Sequence, residues 1–161
     1  MERLAWLGAI VTIVGFPIAI YQLWDLGEQR TLRSLQVAMH VDQQLSNGVS
    51  VRIKHAIEKR RSLLKEHGGE FTREELSDYL DIFTALGDAY ERKLITKDVI
   101  YVWHGYTIAR AFETAEIRAF VTEERKQDPE FYEGFESLAA EVIAEEKGSA
   151  SKRRQEKRPT K

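Results

Sequence analysis

The chain has 161 residues, no cysteine, three prolines and a formal net charge of −2. That is one domain's worth of sequence. It excludes a disulfide scaffold, a cysteine nucleophile and any thiolate-bound zinc or iron–sulfur centre.

The first element is Leu4 to Trp24, 21 residues without a charge, bounded by Arg3 and Asp25. At about 1.5 Å per residue this run matches a hydrocarbon core of roughly 30 Å, so a transmembrane helix is expected over 4–24. Trp6, Tyr21 and Trp24 stand at its ends, where aromatic belts form. A cleaved signal peptide fits poorly, because Ile20-Tyr21-Gln22-Leu23 is bulky where a peptidase needs small residues. Arg30 and Arg33 after the run, against Arg3 before it, predict a single-pass protein of the inner (cytoplasmic) membrane with its C-terminal domain in the cytoplasm. Ala5, Gly8, Thr12, Gly15 and Ala19 recur at spacings of three and four. Such a stripe suits close helix association, with itself or with a partner span.

Helical periodicity continues beyond it. Leu32, Leu35, Met39 and Leu45 predict a helix over 29–45, ended by the turn signal Asn47-Gly48. Ile53, Ala56, Ile57, Leu63 and Leu64 predict the next, with Arg60 and Arg61 turned away and Gly68-Gly69 as its stop. Phe71-Thr72-Arg73-Glu74-Glu75-Leu76 reads as a capping box with a hydrophobic staple. It opens a helix whose apolar face is Leu76, Tyr79, Leu80, Phe83, Leu86 and Tyr90. After Lys93-Leu94-Ile95, Thr96 is expected to cap an antiparallel helix with Ile100, Trp103, Tyr106 and Phe112 inward, running on to Lys126. Asp128-Pro129 predicts a restart, with Phe131, Phe135, Leu138 and Val142 on one face. The segment 148–161 lacks apolar residues beyond Ala150 and reads as a disordered basic tail. The expected product is all-α: a transmembrane helix (4–24), a small cytoplasmic helical bundle (25–147) and that tail.

Charge is segregated along this plan. Residues 30–66 carry eight basic and three acidic groups, whereas 67–147 carry nine basic and nineteen acidic groups, a balance of −10. The first block, through Arg30 and Arg33, and the basic tail would be drawn to the anionic headgroups of a lipid bilayer. The second block repels phosphate and argues against specific nucleic-acid binding, for which Lys97 and Arg110 would be the only anchors on the second hairpin helix.

No phosphate-binding loop, dinucleotide fingerprint, nucleophile elbow or zinc-protease motif is present, so no catalytic residue, metal ligand or cofactor is assigned. His104, beside Trp103, reads as a capped or solvent-edge histidine. Asp78, Asp81 and Asp88 lie within three turns of one helix and form a possible face for a cation or a basic partner; a solvated surface is the plainer reading.

Tyr79-Leu80-Asp81-Ile82-Phe83, Glu91-Arg92-Lys93-Leu94-Ile95-Thr96 and Val99-Ile100-Tyr101-Val102-Trp103, behind an uncharged N-terminal run, resemble a bacterial family of small membrane-anchored helical proteins of unknown function. The resemblance brings no activity and no site residues. With no catalytic constellation, the expected role is a membrane-tethered helical interaction module, such as an accessory subunit of an inner-membrane assembly. Two alternatives stand beside it: a membrane effector of a stress or phage-defence system that oligomerises through its span, and a metal-dependent enzyme using the aspartate row.

Overall fold

The structure, a computed structural model, describes residues 29 and 31–156. Helix α1 (31–45) buries Ser34, Ala38, Val41 and Leu45, one stripe at helical spacing, and leaves the expected apolar positions Leu32 and Met39 outside. Asn47-Gly48 then turns the chain into α2 (Gly48–Glu58). This helix stops well short of its predicted end. The N–H of Arg61 bonds Ala56 O at 2.9 Å and that of Arg60 bonds Ile57 O at 3.0 Å, with Arg60 left-handed at φ 52°. These bonds satisfy the last carbonyls and divert the chain. Leu63 and Leu64 are consequently buried in a connection, where Leu64 forms an isolated bridge to Phe71. A Cβ on Gly69 would strike the backbone of Ser62 and Leu63, so the connection closes only over glycine.

Helix α3 (Arg73–Glu91) starts as expected. Thr72 Oγ1 accepts from Glu75 N at 3.2 Å, and Glu75 Oε2 accepts from Thr72 N at 2.8 Å. Leu76, Tyr79, Leu80, Phe83 and Leu86 are buried on its inner face. Helix α4 (Lys97–Glu113) has Thr96 at its N-cap, but without the expected side-chain bond. Its inner face is also rotated from expectation. Ile100, His104, Thr107, Ile108 and Ala111 are buried, while Trp103 and Tyr106 are 45 % and 56 % exposed. The inward face carries Gly105, Ala109 and Ala111, where neighbours come close: a Cβ on Gly105 would lie 3.6 Å from Val142 Cγ1. The indole and phenol rings have no room there.

The helix predicted to run on to Lys126 breaks at Thr114, and α5 (Ala115–Glu124) begins anew. Asp128-Pro129 builds a turn rather than a helix start. Asp128 Oδ1 accepts from Glu130 N at 3.1 Å, and Tyr132 is left-handed at φ 60° before α6 (Glu133–Glu156) begins. Helix α6 packs most extensively on α3 and next on α4, while α5 packs on α4 and α2 on both α3 and α4. Phe135 joins the layers, 5.7 Å from the Phe83 ring and 5.9 Å from that of Phe112.

Three expectations need correction. No helix among the described residues is long and apolar enough to cross a membrane, because each carries charged side chains at intervals along its solvent face. The transmembrane helix and the single-pass inner-membrane placement therefore find no element in the structure; residues 4–24, including Ala5, Gly8, Thr12, Gly15 and Ala19, lie outside the described residues. The tail is helical as far as Glu156. A helix already seated by Phe135, Leu138 and Val142 gains a hydrogen bond with each further residue.

The rotated face of α4 has a measurable consequence. Trp103→Ala should cost at most about 1 kcal/mol, whereas Phe135→Ala, which empties the centre of the core, should cost about 3–5 kcal/mol in urea unfolding.

Candidate functional site

One polar feature is a half-open cleft of about 420 Å³ lined by Ile57, Arg60, Arg61, Ser62, Arg110, Glu113, Thr114, Ala115 and Glu116. Three local events create it. The early stop of α2 brings Arg60 and Arg61 to its mouth. The break at Thr114 turns the α5 N-terminus toward it. Thr114 Oγ1 donates back to Arg110 O at 2.9 Å instead of capping α5, so the first amides of that helix lack a side-chain cap.

Glu116 ties these parts together. Its Oε2 accepts from Leu63 N at 2.8 Å; its Oε1 accepts from Leu64 N at 2.9 Å and meets His67 Nδ1 at 2.9 Å. Partial burial raises the cost of ionising Glu116, but the two backbone amides and the histidine outweigh it and hold the carboxyl below its ordinary value. Its charge is thereby spent on the connection between α2 and α3. Glu113 is engaged by Arg110 at 3.3 Å, and Arg110 also lies over the Tyr106 ring at 5.4 Å. Among the described residues, Arg60 and Arg61 have no ion-pair partner within salt-bridge distance.

A second feature is the outer surface of α1 and α4. Met39 and Trp103 line an open groove of about 480 Å³ with Gln36, His40, Asp42 and Gln43. Leu32 lies two turns from Met39 along α1, and Tyr106 one turn from Trp103 along α4; all four side chains are exposed. His104 holds the two helices together from beneath. It is buried rather than at the solvent edge, and its Nε2–H donates to Ala38 O at 3.2 Å. Burial, only partly opposed by that carbonyl, lowers its pKa and favours the neutral ring.

The aspartate row does not converge. Asp81 borders a small groove with Thr84, Asp128, Glu130, Phe131 and Tyr132, where burial and then the charge of Asp78 raise its pKa. Asp88 lies against Gly134, farther along α3. No group of three or more histidine, aspartate or glutamate side chains among the described residues is placed to hold a metal ion. Arg33 is exposed on α1, and Arg30 lies outside the described residues.

The sequence pattern turns Arg60 and Arg61 to solvent, and both are exposed, but it gives Glu116 no role. The available signal is the lapse of helical period at Arg60-Arg61; the partner lies more than fifty residues away. Comparison with known proteins found no matching family model, no matching curated protein and no matching solved structure.

Replacing Glu116 by Gln should leave one of two buried backbone amides without an acceptor and cost about 1–3 kcal/mol. The carboxylate's contribution is complete above its unfolded pKa of 4.5 and lost as pH falls through the lower folded-state value. Acid titration of stability should therefore fall less steeply in the Gln variant than in the native chain.

Proposed function

We propose that the chain is a non-catalytic helical interaction module that docks a partner on the outer surface of α1 and α4. The observation that supports this reading is the grouping of Leu32, Met39, Trp103 and Tyr106, all exposed, on two adjacent helices. Tryptophan and tyrosine are enriched among residues that dominate binding energy. The groove offers Met39 and Trp103 as apolar walls and Asp42 as its one formal charge, with His40 beside it. Its chemistry suits an amphipathic helix of another protein, presenting a large apolar side chain with a lysine or arginine one turn away.

Photo-crosslinking from Tyr106 replaced by a benzoylphenylalanine analogue, in the cells of origin, tests this reading. The cross-linked peptide should come from a different protein and read as a basic amphipathic helix. Its synthetic form should bind the full chain at least tenfold more weakly when Trp103 or Met39 is replaced by Ser, and equally well when Val51 is. Cross-links only to a second copy of the chain, or binding indifferent to both substitutions, would contradict the assignment.

A further inference from the structure

We propose that the cleft between the end of α2 and the α4–α5 break binds a small phosphorylated organic molecule, with the phosphate held by Arg60 and Arg61. The cations carry the argument. Three guanidinium groups line one cavity of about 420 Å³, within the size range of small-ligand sites. Two of them, Arg60 and Arg61, have no ion-pair partner among the described residues. Guanidinium forks suit phosphate oxygens because they offer paired, coplanar donors.

The cleft also contains two carboxylates, and both are already committed. Glu116 is turned onto Leu63 N, Leu64 N and His67, and Glu113 onto Arg110. What remains available to a ligand is positive, and Arg60 and Arg61 belong to the basic block 30–66. The uncapped start of α5, at Thr114 and Ala115, adds backbone N–H groups and the positive end of the helix dipole on the same wall. Ser62 contributes a hydroxyl.

A separate buried hydroxyl lies beside the cleft, outside its lining. Tyr79 is 1 % exposed, and its hydroxyl has no hydrogen-bond partner among the described residues. It borders a smaller cavity that shares Ile57 and Arg110 with the cleft. That smaller cavity has only about 10 Å³ of space, enough for a single water-sized group. Ile57 and Ala115 provide the apolar wall for an organic portion, which bare phosphate would leave unused.

The test is calorimetric titration of the full chain with ribose 5-phosphate, with ribose, and with inorganic phosphate at low salt. Ribose 5-phosphate should bind with one-to-one stoichiometry and more tightly than inorganic phosphate, while ribose should not bind. Affinity should fall at least tenfold in Arg60→Ala/Arg61→Ala and stay within twofold of native in Arg118→Ala, an exposed arginine outside the cleft. Raising the salt concentration should weaken binding. Unchanged melting temperatures of the two variants exclude loss of fold as the cause. Equal loss in the Arg118 control, or no binding of either phosphate at millimolar concentration, would overturn the proposal. Neither result bears on the Met39–Trp103 groove, which shares no lining residue with the cleft.

Discussion

The bundle depends on a place where two helices meet with no side chain between them. Gly87, near the C-terminal end of α3, faces Gly134, in the first turn of α6, so closely that a Cβ on Gly87 would lie only 2.9 Å from Gly134 Cα and closer still to its carbonyl. A Cβ on Gly134 would lie 2.9 Å from Thr84 O and 3.0 Å from Asp88 Oδ1. Glycine within a helix costs about 0.5–1 kcal/mol relative to alanine. Here that cost permits an approach that brings Phe83 and Phe135 into ring contact and lets α6 lie along α3 and α4 at once. The left-handed Tyr132 and the turn at Asp128 aim the chain into this crossing. Tyr132 is itself anchored: its hydroxyl meets Ser77 Oγ at 2.7 Å, and burial, only partly opposed by that bond, pushes its pKa up to about 12.

Local signals are legible in the sequence and long-range ones are not. The capping box at Thr72 and Glu75 and the buried stripe from Leu76 to Leu86 depend on residues a few positions apart, so pattern alone locates them. Helix α4 departs from its pattern because apolar character does not rank faces by the space available. Trp103 is the more hydrophobic residue, yet His104 occupies the interior, since its ring nitrogen can donate to Ala38 and its face admits close neighbours. The end of α2 at Glu58 and the break at Thr114 are closed by local hydrogen bonds, but the loop after α2 is held from a distant segment. Glu116, which holds Leu63 and Leu64 in their loop, has no sequence neighbour that would announce its role.

The same distinction applies to the two surfaces argued to bind. The small-residue stripe from Ala5 to Ala19 lies outside the described residues, and the aspartate row is spread along α3 without a common focus. The arginine cleft and the Met39–Trp103 groove are invisible in the sequence because each joins segments separated by some fifty residues or more. Both arise where helices deviate from simple amphipathic pattern: an early stop and a break in the first case, a rotated face in the second. Departures from the local rule are where binding sites are expected, since side chains released from the core become available to ligands.

The most direct test of this account is the unfolding free energy of Gly87→Ala, measured in urea beside Gly148→Ala. Gly148 lies in α6, where an added Cβ would meet no neighbour within 4 Å, so alanine there should stabilise by about 0.5–1 kcal/mol through helix propensity alone. Alanine at Gly87 must push α6 away from α3 and should destabilise by about 2 kcal/mol or more. A gain in stability at Gly87 matching that at Gly148 would contradict the claim that the glycine crossing sets the fold.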